Sequence, residues 1–309
     1  MPRILEPGQI EARAGRPIAR LRLPERGGPF AARARRLRHL GESGAPGEKI
    51  ADYLNLMAAL ADAQALALPA LAPPPPTTEQ LKRSRTHGMP PLEAVSWRRP
   101  PEWRELALRL CASVAEVPGA PAAVGAVHEW LAVRSAAETE AQAQALLAGG
   151  HEEIEIAAAP FLMAALQMYW VALVSRLREE DVAPLEVPGV CPACGTAPVA
   201  SVVRADARSE GYRYLHCALC AAEWHLVRVT CTQCQSTAGI AYHSIEGGSQ
   251  AIRAESCEEC RTYRKILYQE KDAQVEPVAD DLASLALDLL MTEAGFHRGS
   301  GNPLLWQRP

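Results

Sequence analysis

Apolar positions in the first 180 residues recur at helical spacing. Between Gly47 and Leu68, Ile50, Tyr53, Leu54, Met57 and Leu60 fall three or four residues apart, which predicts a helix with one buried stripe. The tract LAPPPPTTEQ ends it, because consecutive prolines remove backbone donors and clash with the preceding turn. Trp103 to Val117, Ala122 to Leu147 and Glu152 to Arg178 predict three further helices, separated by VPGAP and by Gly149-Gly150. Together these segments read as a helical bundle. Within the last of them, IAAAPFLMAALQMYWVALV (Ile156 to Val174) is close to the length that spans a bilayer. Pro160 and Gln167 interrupt it and Glu152, Glu153 and Glu155 crowd one end, so the reading is a helix buried in protein.

The pattern changes near residue 190. DVAPLEVPGV, with two prolines and a glycine, marks a boundary at residues 181–190. Beyond it Pro198 to Val203, Tyr212 to His216, Trp224 to Val229 and Arg264 to Tyr268 are short and rich in aromatic or β-branched residues, which predicts strands. DDLASLALDLLMTEAG then predicts one helix. Asp280 or Asp281 caps its start, Leu282, Leu285, Ala286, Leu289 and Leu290 form its apolar side, and Gly295 ends it.

Composition narrows the function classes. The 309 residues are 48% hydrophobic, enough for a real core and more than one domain, and the formal charge of −4 argues against a surface built to neutralise phosphates. The first residues lack the basic and apolar regions of a secretory signal, so the expectation is a cytoplasmic protein. Residues 1–40 hold ten Arg against three Glu. That arm reads as a solvated segment, or as a docking element for an acidic protein surface, as do Lys82, Arg83, Arg85, Arg98 and Arg99.

Cysteine placement carries the chemistry. Cys111 stands alone before residue 190 and reads as a small core residue, whereas the other eight of the nine cysteines fall between 191 and 260. Cys191-x2-Cys194 is followed after 22 residues by Cys217-x2-Cys220, and the arrangement returns 40 residues later as Cys231-x2-Cys234 and Cys257-x2-Cys260. Such a duplication predicts pairing within each unit, so that Cys220 and Cys231, close in sequence, belong to different sites. Two thiolates separated by two residues can face one ion from a tight turn, and two such turns close a tetrahedron with no open position. That favours a structural or electron-transfer metal over hydrolytic chemistry. Disulfides do not suit a cytosolic chain, and a redox CxxC opens a helix in a βαβ setting that four regularly spaced copies do not match. Zinc and a rubredoxin-type iron both accept four sulfurs.

With these modules, the CPACG opening and the tail VADDLASLALDLLMTEAGFHRGSGNPLLW, the chain resembles the formate dehydrogenase accessory protein family, FdhE. The resemblance implies an α+β multidomain chain: an all-helical N-terminal domain, two tandem rubredoxin-like or zinc-ribbon-like metal modules, and a C-terminal helix. The expected divisions are an Arg-rich arm and first helix at 1–46, a helical bundle at 47–182, metal modules at 183–228 and 229–275, and the helix and tail at 276–309. It implies two metal ions per chain, iron favoured and zinc the alternative, held by Cys191, Cys194, Cys217 and Cys220 and by Cys231, Cys234, Cys257 and Cys260. It further implies a non-catalytic cytoplasmic maturation factor that binds the catalytic subunit of formate dehydrogenase, with no nucleic acid and no membrane insertion. One departure concerns the knuckles: Gly195 follows the first CxxC, but Ala221, Gln235 and Arg261 take the positions where a glycine would allow a left-handed backbone.

Two rival readings come from other classes. A zinc-ribbon nucleic-acid or regulatory protein would need a basic metal region, yet residues 191–275 hold nine Lys or Arg and nine Asp or Glu. Two divalent ions in four-thiolate shells would add about four negative charges. An iron-dependent electron-transfer protein would need a docking surface that the sequence does not display. His87, His128, His151 and His297 form no catalytic constellation, while His216 and the pair Trp224-His225 lie close enough to the knuckles to contact a ligand sulfur.

Overall fold

The computed structural model describes residues 18–42, 50–150, 154–207 and 209–306. Among the described residues seven α-helices precede the cysteine region: α1 (Phe30–Glu42), α2 (Ala51–Ala67), α3 (Thr78–Thr86), α4 (Trp103–Ala115), α5 (Ala122–Ala132), α6 (Ala136–Ala148) and α7 (Ala159–Val174). Helix α7 is the axis of this part. Every one of its residues is buried, and it packs against α2, α4 and α6, which explains why its sequence is apolar on all sides. Among the described residues no helix is long and apolar enough to cross a membrane. The polar groups of α7 are matched inside the protein: Trp170 Nε1 donates to the Leu92 carbonyl at 3.0 Å, and Gln167 Nε2 to the Ala218 carbonyl at 2.7 Å.

The remaining strands make one sheet in the order β1 (Leu21–Arg22), β4 (Glu223–His225), β3 (Arg213–Cys217), β2 (Pro198–Val203), β7 (Thr262–Tyr268), β6 (Ile252–Cys257) and β5 (Ile240–His243). Strand β8 (His297–Arg298) pairs with the start of β7. The two cysteine units each supply three antiparallel strands, and they join where β2 runs parallel to β7, with Ser201 opposite Ile266 and Val203 opposite Tyr268. The modules therefore share one sheet. Its far end at β4 is covered by β1, which comes from the Arg-rich region, while β5 forms the opposite edge.

Several sequence expectations change in detail. The helix expected over Ala122 to Leu147 is two, because Ser135 caps α6 with a reciprocal Ser135–Glu138 capping box. Helix α3, unforeseen after the proline tract, starts at the same device built from Thr77 and Gln80. The C-terminal segment is also two helices, α8 (Pro277–Ala283) and α9 (Leu285–Glu293), separated at Ser284. Neither Asp280 nor Asp281 caps it. Glu276 does, accepting from the Val278 and Ala279 amides, while Gly295 at φ 78° follows the end of α9 as expected.

Among the described residues the arginine-rich region is in part an internal clasp, with Arg33 and Arg36 buried, while Arg26 and Arg35 are exposed, as are Lys82, Arg83 and Arg98. Arg33 on α1 is 1% exposed and bonds Glu276, and Arg36 grips Asp280 through Nε at 2.9 Å and Nη2 at 2.6 Å. Arg20 donates to the Val182 carbonyl and Arg22 to Asp206. Arg85 pairs with Asp181 and Arg99 is buried against Glu140 and Gln144. Gly47, His151, Glu152, Glu153 and the arm before Ile18 lie outside the described residues.

Candidate metal centres

Each site is made from two hairpin turns at the ends of adjacent strands. In the first turn the Cys191 amide donates to the Thr196 carbonyl and the Gly195 amide returns to the Cys191 carbonyl, and the third turn repeats this with Cys231, Ser236 and Gln235. The residue after each second cysteine must be left-handed to close such a turn. All four are: Gly195 at φ 77°, Ala221 at 59°, Gln235 at 63° and Arg261 at 54°. The departure from glycine in the sequence therefore leaves the knuckle geometry intact, at a local conformational cost of about 1–2 kcal/mol per residue. Turn amides point at sulfur: Leu219 and Cys220 donate to Cys217 Sγ at 3.4 Å, and Gln233 and Cys234 to Cys231 Sγ at 3.3 and 3.5 Å.

The eight cysteines sort into the two groups expected from the 40-residue period. Cys191 and Cys220 bring sulfurs to 3.6 Å and Cys194 and Cys217 to 3.4 Å, and Cys231 with Cys260 and Cys234 with Cys257 are each at 3.6 Å. Within each group all four sulfurs lie within 4.8 Å of one another. A disulfide would need about 2.05 Å. A tetrahedral ion with metal–sulfur bonds of about 2.3 Å places its sulfurs about 3.8 Å apart, close to the observed spacing. Burial pushes the Cys191 and Cys220 thiols up, while at Cys194 burial is outweighed by hydrogen bonds from the neighbouring sulfurs, which push it down, so the four sulfurs titrate as one interacting group. The residues fit a four-sulfur metal such as zinc or iron. Cys111 lies apart in the helical core, donating to the Val124 carbonyl at 3.4 Å.

The first centre is joined to the helical part at several points. The Leu92 and Ala94 amides donate to the carbonyls of Ala193 and Cys194, at 3.1 and 2.9 Å, and Gln167 reaches the second turn at Ala218. Gln167 Oε1 also accepts from Arg33 Nη1 at 3.3 Å, which connects the knuckle to the Arg33–Glu276 pair. The second centre is tied mainly to the sheet: the Thr232 hydroxyl accepts from Arg264, and the Arg213 guanidinium donates to the Thr230 carbonyl. Gly189 is required beside it, because a Cβ there would collide with the Thr232 carbonyl. Val229, in the short connection between the units, takes φ 59°, an uncommon conformation for a β-branched residue.

Neither histidine near the knuckles bonds a sulfur. His216 Nδ1 pairs with Glu223 Oε1 at 2.9 Å, and His225 sits edge-on to Tyr212 and Tyr214. Threonines take that place instead, with Thr196 Oγ1 3.4 Å from Cys194 Sγ and Thr262 Oγ1 2.9 Å from Cys260 Sγ. Both follow a second cysteine by two residues, a sequence signal that attention to histidine passed over.

Three family models match the chain in succession. The FdhE N-terminal model matches residues 18–186, the FdhE central domain 190–228, and the FdhE C-terminal domain 229–305. This chain belongs to the FdhE family. Among its relatives, an FdhE homolog of Edwardsiella ictaluri is 44% identical over 294 residues, covering 94% of this chain and 92% of that protein. An FdhE homolog of Pseudomonas aeruginosa is 43% identical over 311 residues, covering 98% and 97%. The crystal structure of the FdhE protein from Pseudomonas aeruginosa superposes with a TM-score of 0.83 at 40% identity, covering 93% of this chain and 99% of that one.

Proposed function

We propose that this FdhE-family chain is a non-catalytic accessory protein for formate dehydrogenase, acting in the cytoplasm on its catalytic subunit, with one metal ion in each cysteine cluster. The observation that carries the reading is the pair of closed four-sulfur shells built into one sheet. Four protein ligands leave no position for a substrate. The first shell also holds the helical part to the sheet, so metal binding sets the shape of a surface that spans both. Free energy of metal binding, of apparent order ~10–16 kcal/mol per structural site, supports modules too small for a self-sufficient core. The sequence resemblance favours rubredoxin-type iron over zinc, and a metal that changes valence would add a redox role.

Elemental analysis and a visible spectrum on protein purified without added metal, with a pull-down from cells expressing formate dehydrogenase, test the proposal. The expected result is two metals per chain and capture of the catalytic subunit, with thiolate-to-iron absorption if the metal is iron. Two zinc ions with no such partner would overturn the accessory reading and favour a zinc-ribbon protein.

A further inference from the structure

The two cysteine units are repeats, yet their surroundings differ. Cys191, Cys194, Cys217 and Cys220 are each at most 1% exposed. In the second unit Cys234 is exposed and Cys260 half-buried. The residues between the cysteines follow the same division. Pro192-Ala193 and Ala218-Leu219 are apolar and buried, whereas Gln233, Glu258 and Glu259 at the matching second-unit positions are exposed, as are Gln235 and Arg261 after the knuckles. Thr232, matching Pro192, is the buried exception. One copy of the repeat is built to lie against the helical part, and the other to face water.

We infer that the sites divide their roles: the first is a fixed staple between helices and sheet, and the second exchanges its metal with thiol or chelating ligands from outside, Cys234 being the sulfur displaced. This rests on the reading of both clusters as metal sites. Ligand exchange at a four-sulfur ion requires an incoming donor to reach it. With an ion held by Cys231, Cys234, Cys257 and Cys260, an incoming thiol would replace Cys234 Sγ as a ligand, and the proton it gives up would pass through solvent to the released Cys234 sulfur. No electron is transferred. At the first site the same attack must wait until the Leu92–Ala193, Ala94–Cys194 and Gln167–Ala218 hydrogen bonds open together. Exchange there should be at least about 100-fold slower, from three hydrogen bonds of ordinary net strength.

The test uses the full chain loaded with zinc. Metal content is measured first, then release to a large excess of 4-(2-pyridylazo)resorcinol is followed by absorbance under native conditions. In parallel the loaded protein is exposed briefly to iodoacetamide and the modified cysteines are mapped by mass spectrometry. The expected result is one equivalent released fast and one slowly, with Cys234 alkylated first and Cys260 next, while Cys191, Cys194, Cys217 and Cys220 remain unmodified through the fast phase. Cys234→Ser should remove the fast equivalent and leave the slow rate unchanged; the wild-type mapping stands without this variant if it fails to fold. Two equivalents leaving at one rate, or early alkylation among residues 191–220, would overturn the inference. Fewer than two zinc ions before chelator is added would overturn the two-site reading itself.

Discussion

Replacing Gln167 by Met tests whether the helical part and the first metal centre form one structural unit. Methionine keeps the length of the side chain and removes its polar end. Gln167 is 2% exposed, and its amide serves the Ala218 carbonyl on one side and Arg33 Nη1 on the other. The Ala218 carbonyl and Arg33 Nη1 lose that bond; Gln64 Nε2, a third partner at 3.5 Å from Gln167 Oε1, keeps the Ala164 carbonyl, and Arg33 keeps its two bonds to Glu276. Each group left unsatisfied costs about 2 kcal/mol, for about 4 kcal/mol together. Burial of the more apolar methionine returns about 1 kcal/mol, leaving a net destabilisation of about 3 kcal/mol. Urea denaturation of the metal-loaded protein, followed by far-UV circular dichroism, measures the change. Zinc release provides a second readout, since loss of one tie should quicken the slow equivalent about tenfold and spare the fast one. A destabilisation below about 0.5 kcal/mol with unchanged release would refute the connection from α7 to the knuckle.

Other positions give independent tests. Val229→Gly should raise stability by about 1 kcal/mol, because glycine takes positive φ without the penalty carried by a half-exposed valine, and a melting temperature unchanged or lowered would contradict this. Burial raises the Glu223 carboxyl, but Arg204 and His216 outweigh it and hold it at about 2, below its usual 4.5. Its contribution, on the order of 3 kcal/mol, is therefore present above about pH 4.5 and lost as the pH falls toward 2. The stability difference between wild type and Glu223→Gln should shrink across that window, and since both proteins shed metal from protonated thiolates there, only the difference is informative. Lys265→Met removes a fully buried ammonium that donates to the Asp281 carbonyl at 2.7 Å and Asp288 at 2.6 Å, and should cost about 3–5 kcal/mol in a chemical melt.

The cluster membership of all eight cysteines was legible because a tetrahedral site imposes its spacing on sequence, and a repeated 40-residue period admits one simple pairing. The burial of α7 was legible for a similar reason: Gln167 within an apolar stretch is affordable only with partners, and it has them. The arginine-rich region misled because composition does not reveal distant acids. Arg33 and Arg36 meet Glu276 and Asp280 more than 240 positions away, and one chain gives no local sign of that pairing. The aspartates of α8 misled in the same way, since Asp280 and Asp281 look like caps until their ion pairs with Arg36 and Arg298 are known. The α6 break was readable in Ser135 and Glu138, but an alanine-rich run on both sides hid it. The fusion of the modules into one sheet was not readable, because parallel pairing of β2 with β7 links strands some 60 residues apart.

That pairing has a consequence for assembly. The first strand of one unit meets the third strand of the next, a head-to-tail contact in which the two units present different edges. Repeated between chains, it would add unit to unit, into a fibre where the rotation does not close. Growth stops here because Leu21–Arg22 occupies the β4 edge, the counterpart of the β7 edge used at the internal joint, and because β5 is only four residues long. The N-terminal strand is thus a chain terminator, and a chain cut after Arg22 would carry both halves of a polymer contact on one molecule.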